Sequence, residues 1–382
     1  MLNMPTASPG PAADSILSNL LLMGPGPSTV YPSVYQALAR PTLGHLDPDF
    51  IQLMDEVRAL LRTVMRTEND HTLPLSGTGS AGMEAAFANF VEPGDAVLII
   101  VNGVFGKRMV EVATRLGAKV EALEFEWGTP VVTAQVAEKL ETCAPDVVAV
   151  VHAETSTGVR NPVAEIAELV RPTGALFFVD AVTSLCGLPV EVDAWGVDML
   201  YSGTQKCLSC PPGLAPFTFS ERAAKKAHER SHPIPNWYLD VTLLTGYWEG
   251  EKRAYHHTAP INMIYGLHEA LRQVVEEGLE NVFARHRAAH EQLVAGLETL
   301  GCAMLVAPHC CLPMLNAVRV PEGVDEAAVR QRLRNEFHIE IGAGLGPLAG
   351  KIWRIGVMGH TARPEFVERF LGAFTQTLKD SR

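Results

Sequence analysis

The chain has 382 residues, 47% of them hydrophobic and 19% charged, so it can bury a large core and lacks the composition of a disordered protein. Its 43 acidic and 31 basic residues give a net charge of −12, which argues against a nucleic-acid-binding surface. The longest apolar runs, AVLIIV at 96–101 and VVAVV at 147–151, are far shorter than the roughly 20 residues of a membrane-spanning helix.

The first 20 residues, which we interpret as an N-terminal tail, have neither a basic n-region nor a continuous apolar segment, so no secretion signal is predicted. The seven cysteines are an odd number scattered through a large chain, a pattern typical of reduced thiols. The pair His256-His257 has no third ligand at a suitable spacing, and His309-Cys310-Cys311 is more typical of the approach to a strand than of a metal-binding loop, so we expect no metal site. Together these features predict a cytoplasmic globular protein.

Short apolar strands alternate with amphipathic helices from Pro74 to about Lys206. The predicted strands are AVLIIVN (96–102), VVAVVHAE (147–154), ALFFVDAV (175–182) and VDMLYSG (197–203). Continuous β-branched runs separated by helices indicate strands buried on both faces, and therefore an α/β fold with a mostly parallel sheet. In such sheets ligands bind at the carboxyl ends of the strands.

A helical pattern at 261–278 leads directly into a second one at 280–301, and the boundary between two domains is predicted near residue 278. Beyond it, short strands and two helices indicate a small α+β domain. The predicted organisation is therefore the tail at 1–20, a large domain at 21–277 and a small C-terminal domain at 278–382.

The segment Gly77-Thr78-Gly79-Ser80-Ala81-Gly82 fits G-x-G-x-x-G, the pattern of a dinucleotide-binding turn. That site also needs an acidic residue at the end of the next strand, where this chain has Asn102-Gly103. A nicotinamide-dependent oxidoreductase is therefore disfavoured. Small residues before a helix still allow its N–H groups to approach one phosphate, and the hydroxyls of Thr78 and Ser80 can add donors.

Asp180 and Lys206 each close a predicted strand, so both side chains are expected in the crevice at the carboxyl edge of the sheet. Partial burial there lowers the pKa of a lysine and makes its neutral amine available. A lysine for a Schiff base and a carboxylate for a pyridinium nitrogen are what pyridoxal phosphate requires of a protein. Arg354 lies in the apolar strand IWRIGV and needs an anionic partner, either a substrate carboxylate or a structural acid.

Six motifs, in this order, resemble the class V aminotransferases, and most of all the alanine/serine–glyoxylate group. They are SGTGSAGMEAA, HAETSTGVRNP, VDAVTSL, YSGTQKCLSCPPG, YHHTAP and GPLAGKIWRIGVMG. The similarity runs from GPGPS at 24–28 to the last helix. It implies a type I fold dependent on pyridoxal 5'-phosphate and a homodimer with shared active sites.

The resemblance also implies a role for each matching residue. Lys206 is the Schiff-base lysine and the catalytic base, and Asp180 holds the ring nitrogen protonated. Val182 and Phe105 would lie on the two ring faces, and many members have Trp at the latter position. The expected phosphate ligands are Thr78, Gly79, Ser80 and Gln205, with Tyr255 and Thr258 reaching the phosphate of the partner subunit. Thr155 would contact the ring hydroxyl and the substrate, Arg354 would bind the substrate carboxylate, and Gly26 would border the substrate.

The leading hypothesis is a ping-pong transaminase that uses alanine or serine and glyoxylate, giving pyruvate or hydroxypyruvate and glycine. Relatives that act on ureidoglycine, aminoethylphosphonate or pyridoxamine remain alternatives, as does a binding protein that kept the fold and lost the chemistry. Cysteine desulfurases share the fold but need a reactive cysteine late in the chain, and there is none after Cys311.

Overall fold

The structure is a computed structural model that describes residues 20–379, so the predicted tail, except for its last residue, lies outside the described part. The strands are β1 (Leu21–Leu22), β2 (Thr72–Ser76), β3 (Ala96–Val101), β4 (Lys119–Glu124), β5 (Val147–Val151), β6 (Ala153–Glu154), β7 (Val159–Arg160), β8 (Leu176–Asp180), β9 (Met199–Tyr201), β10 (Leu214–Phe219), β11 (Leu315–Arg319), β12 (Ile339–Glu340), β13 (Gly342–Ala343) and β14 (Ile352–Gly356). The α-helices are α1 (Pro32–Leu38), α2 (Pro48–Met65), α3 (Gly79–Phe90), α4 (Val104–Arg115), α5 (Thr133–Cys143), α6 (Val163–Val170), α7 (Val192–Trp195), α8 (Glu221–His228), α9 (Val241–Trp248), α10 (Ile261–Glu277), α11 (Leu279–Thr299), α12 (Glu326–Phe337) and α13 (Pro364–Lys379).

A seven-stranded sheet with the order β2-β10-β9-β8-β5-β3-β4 forms the centre of the molecule. The five strands from β9 to β4 are parallel, and β10 pairs antiparallel with both β9 and β2. Strands such as β5 and β8 are buried along their whole length, as continuous apolar sequence requires of strands covered on both faces. The predicted α/β fold with a mostly parallel sheet is confirmed.

The strand register brings three side chains to one edge of this sheet. Val151 at the end of β5 pairs with Asp180 at the end of β8, and Asp180 pairs with Tyr201 at the end of β9. Because these strands are parallel, all three residues lie at carboxyl ends, the edge at which α/β sheets bind their ligands.

A second hydrophobic core lies around the antiparallel sheet β11-β14-β13, with Leu293, Trp353 and Phe370 fully buried in it. The chain breaks between α10 and α11 at Gly278, whose φ of +84° suits glycine. The domain boundary predicted near this residue stays a prediction. The first described strand also belongs to this core, since β1 pairs in parallel with β12 and buries Leu21 there.

Within residues 20–379, no helix has the length and apolar character needed to cross a membrane.

Candidate active site

A cavity of about 180 Å³, here called the central cavity, opens at the carboxyl edge of the seven-stranded sheet. Its walls come from the ends of β5, β8 and β9, the start of α3 and α4, and the loop after β9. Eight residues expected from the sequence line it: Gly79, Ser80, Phe105, Thr155, Asp180, Val182, Gln205 and Lys206. Five others that the sequence did not single out also line it: Met83, Arg108, Val151, Ala153 and Tyr201.

The carboxylate of Asp180 is buried and held at both oxygens. Its Oδ1 accepts a hydrogen bond from the backbone N–H of Val182 at 2.8 Å, and its Oδ2 accepts one from the hydroxyl of Tyr201 at 2.8 Å. Burial raises the pKa of Asp180 to about 6 despite these two donors. A cation placed against this carboxylate would be stabilised strongly, because little solvent screens the pair.

Lys206 lies in the loop that follows β9, not at the end of the strand as predicted, because β9 ends at Tyr201. Its Nζ donates to the carbonyl of Pro25. A Cβ at Gly26 would lie 2.7 Å from Nζ, and the φ of +103° at Gly26 also requires glycine. Burial and, to a smaller extent, the positive charge of Arg354 together lower the pKa of Lys206 to about 8. The site therefore holds a lysine whose neutral form is accessible near neutral pH.

One end of the central cavity has the features of an oxyanion site. Helix α3 begins at Gly79, and its N-cap residue Thr78 makes no side-chain capping bond, so the first N–H groups of the helix have no capping acceptor. The side-chain oxygen of Gln205 is buried without a hydrogen-bond partner in the described chain. The NH2 group of the same amide, and not its oxygen, can donate to a phosphate group placed beside the uncapped helix start.

The position of Phe105 is fixed by a buried carboxylate that the sequence analysis missed. Glu154, fully buried, accepts hydrogen bonds from the backbone N–H groups of Phe105 at 3.1 Å and Gly106 at 3.4 Å, at the start of α4. Gly103 permits this approach, since a Cβ there would lie 2.4 Å from the Glu154 side chain. Glu154 lies about 50 residues from the helix whose first N–H groups it binds, so no local sequence pattern reveals this contact.

Arg354 reaches the site from β14 in the small domain. It is 7% exposed, its Nε donates to the carbonyl of Ala343 at 2.7 Å, and its Nη1 donates to the carbonyl of Thr155 at 3.3 Å. No carboxylate of residues 20–379 lies within 4 Å of it, which disfavours the interpretation as a structural ion pair. Burial lowers the pKa of Arg354 to about 10, yet the group stays protonated at neutral pH. The buried carboxyl group of Glu154 acts on Arg354 from beyond ion-pair distance and partly offsets the effect of burial on its pKa, so within residues 20–379 Arg354 is a buried cation without a direct ion pair.

Tyr255 and Thr258 lie together but away from the lining of the central cavity of their own chain. The two hydroxyls are 3.3 Å apart, and the Tyr255 side chain is 59% exposed. Exposure of both residues leaves them available to another molecule. Tyr255 and Thr258 are therefore two predicted phosphate ligands that a single chain does not bring to its own central cavity.

Comparisons with known proteins agree with this geometry. The family model described as aminotransferase class-V matches residues 28–363. The (S)-ureidoglycine–glyoxylate transaminase of Bacillus subtilis is 42% identical over 91% of this chain and 87% of its own length. The crystal structure of an alanine–glyoxylate aminotransferase from Nostoc sp. superposes with a TM-score of 0.93 at 49% identity, covering 99% of this chain and 98% of that one. The pyridoxamine–pyruvate aminotransferase of Mesorhizobium loti gives a TM-score of 0.90 at 32% identity, over 95% and 92% of the two chains.

Fold, site geometry and sequence similarity lead to the same assignment. Pyridoxal phosphate has three groups that this site fits. The desolvated lysine fits its amine-reactive aldehyde, the buried carboxylate fits its ring nitrogen, and the oxyanion end of the central cavity fits its phosphate. The chain belongs to the class V aminotransferases, and its cofactor is pyridoxal 5'-phosphate.

Proposed function

We propose that this protein transfers the amino group of a small L-amino acid, alanine or serine, to glyoxylate in a ping-pong cycle through Lys206. The observation that carries the proposal is Arg354, a buried guanidinium near Lys206 that has no carboxylate of residues 20–379 within 4 Å. Its planar fork suits one α-carboxylate, a group that alanine, serine and glyoxylate share.

The residues of the central cavity would hold the cofactor by its separate groups. Thr78, Gly79, Ser80 and Gln205 would bind the phosphate, Thr155 would contact the ring hydroxyl, and Val182 and Phe105 would lie on the two ring faces. Asp180 would keep a proton on the ring nitrogen, supported by the hydroxyl of Tyr201. When bound, pyridoxal phosphate supplies a ring that withdraws electrons from the α-carbon of the substrate.

Lys206 and Arg354 would then divide the work on the substrate. Arg354 would fix the carboxylate and so set the direction of the bond from the α-carbon to its proton, an effect of positioning. Lys206, as a neutral amine, would take that proton from the α-carbon and pass it to the cofactor. The lowered pKa of Lys206, caused by burial and by Arg354, favours the neutral amine that this step needs.

The acceptor is the better supported of the two substrates. Glyoxylate stands in the names of both the Bacillus subtilis and the Nostoc relatives, whereas their amino donors differ. Ureidoglycine is therefore the second candidate donor. Absorbance spectra of the holoenzyme separate the two: the visible band should disappear with L-alanine or L-serine and return with glyoxylate. A band that both donors leave unchanged would contradict the proposed donors, and ureidoglycine would be tried next.

Arg354→Gln is expected to lower kcat/KM for alanine and for glyoxylate about 100-fold, because a buried charge-assisted pair with each carboxylate is lost. Steady-state kinetics with each substrate varied in turn measure this effect. Arg319→Gln, at an exposed position on the neighbouring strand β11, is the matched control and should leave both values unchanged. Equal kcat/KM values in Arg354→Gln and the control would exclude carboxylate binding by Arg354.

We also propose that the protein is a homodimer in which Tyr255 and Thr258 complete the phosphate site of the partner subunit. Their exposure and their distance from the lining of their own cavity support this arrangement. Sedimentation of the holoenzyme should give a dimer. A monomer with full cofactor occupancy would contradict it.

A further inference from the structure

A second, larger cavity lies on the other side of the extended segment 151–153 from the central cavity. It has a volume of about 600 Å³ and is here called the rear cavity; its lining includes Val131, His152, Arg160, Leu188 and Trp195. The alternation of side chains along an extended chain explains the separation, because Val151 and Ala153 line the central cavity and His152 between them lines the rear one.

Two helices begin at the rear cavity, and neither start is capped by a side chain. Helix α5 follows Val132 and helix α6 follows Pro162, and neither of these N-cap residues makes a side-chain capping bond. The first N–H groups of a helix have no partner within the helix and carry partial positive charge. The N–H of Val163 already donates to the carbonyl of Asn161 at 2.9 Å. However, Thr133 and Ala164, in the first turns, both line the cavity, so each helix start still presents donors to it.

A cation lies at the rim of the same cavity. The Nη2 of Arg160 donates to the carbonyl of His309 at 2.9 Å, which orients the guanidinium. No carboxylate among residues 20–379 lies within 4 Å of Arg160. The one acidic group in the lining is Glu165, in the first turn of α6.

His152 adds an unsatisfied polar atom deep in the rear cavity. It is only 5% exposed, and its Nδ1 has no hydrogen-bond partner in the described part of the chain. The ring packs edge-on against Trp195, with 5.2 Å between ring centres, and the backbone N–H of His152 donates to the carbonyl of Asp180 at 2.9 Å. Burial lowers the pKa of His152 to about 3, so the imidazole is neutral and can direct an N–H to a ligand. A buried ring nitrogen without a protein partner is uncommon in native proteins, so this atom is available to a ligand that enters the cavity.

We propose that the rear cavity binds a small organic anion, whose oxyanion group is held by Arg160, His152 and the N–H groups at the starts of α5 and α6. The volume exceeds what a bare inorganic ion fills, and Val131, Leu188 and Trp195 offer an apolar surface to the rest of the molecule. Carboxylates and phosphate monoesters share this chemistry. The inference is independent of the substrates proposed above.

The experiment is calorimetric titration of the holoenzyme with benzoate, phenyl phosphate and inorganic phosphate, while the visible band of the cofactor is followed in parallel. At least one organic anion should bind saturably and at least about tenfold more tightly than inorganic phosphate, because only the organic probes use the apolar wall. A preference for benzoate or for phenyl phosphate identifies the head group. The visible band should not change as this site fills.

Three variants locate the binding. Arg160→Gln should weaken it about tenfold, and Glu165→Gln should tighten it two- to threefold, since one removes an attractive charge and the other a repulsive one. Arg334→Gln, at an exposed position in the last turn of α12, is the matched control and should change nothing. Equal affinities in the wild type and in Arg160→Gln, or inorganic phosphate binding as tightly as both organic anions, would overturn the proposal.

Discussion

Lys206→Ala is expected to lower the steady rate of transamination at least about 10⁴-fold, because one amine provides both the covalent attachment and the proton transfer. Lys206 is the only lysine that lines the central cavity in the described chain, so no neighbouring amine can replace it. The rate is measured with saturating L-alanine and glyoxylate after reconstitution with pyridoxal phosphate. Steady turnover by the alanine variant would rule out the proposed mechanism.

Lys206→Arg separates the chemistry of the amine from its charge and bulk. A guanidinium stays protonated at every accessible pH, so it fills the site and keeps the charge but supplies no neutral amine. The two variants should therefore be inactive to a similar degree. A thermal midpoint close to that of the wild type would show that neither loss results from unfolding.

The pH dependence of cofactor uptake tests the environment of Lys206 directly. The unperturbed amine has a pKa of 10.5 and the buried one a pKa of about 8, so the neutral fraction reaches one half at a pH of about 8 and levels off only at higher pH. Uptake of pyridoxal phosphate by the cofactor-free protein should follow this curve. Since Arg354 is one of the causes of the lowered pKa, Arg354→Gln should move the midpoint to higher pH.

The sequence predicted those features that depend on local pattern. Apolar β-branched runs between helices indicated the parallel sheet, and the small residues at 77–82 indicated an oxyanion site at a helix start, without the acid that a dinucleotide would need. Asp180 was placed correctly at the end of a buried strand. The sheet and the helix start at Gly79 are present in the structure because strand burial and helix starts are encoded within a few consecutive residues, whereas the oxyanion site stays a prediction.

Contacts across long stretches of chain could not be predicted in the same way. Strand β1 is two residues long and pairs with Ile339 at the other end of the chain, so no local periodicity reveals it. Tyr201 and Glu154 resembled ordinary residues of two predicted strands until the fold brought them against Asp180 and α4. The rear cavity likewise depends on two helix starts far apart in the sequence.

Asp180→Asn is expected to have opposite effects on activity and on stability. The variant loses the charge that holds the proton on the ring nitrogen, so transamination should fall at least about 100-fold. The cofactor-free protein should instead become more stable at pH 7.5, by up to about 3 kcal/mol, because burial of this ionised carboxylate destabilises the fold. Asn keeps an oxygen for the N–H of Val182, and its amide can donate to the hydroxyl of Tyr201.

The sign of this stability effect follows from the two pKa values of Asp180. The carboxyl group has a pKa of about 6 in the folded chain and 3.8 in the unfolded one, so between these values the folded state binds more protons. The stability of the wild type therefore falls as the pH rises from 3.8 to 6, whereas an asparagine contributes no such slope. Thermal unfolding of the cofactor-free proteins should show the advantage of Asp180→Asn at pH 7.5 and only a small difference near pH 4. A variant less stable than the wild type at pH 7.5 would contradict the burial argument. The predicted result would show that the carboxylate of Asp180 destabilises the cofactor-free protein and serves to stabilise the protonated ring nitrogen in the active enzyme.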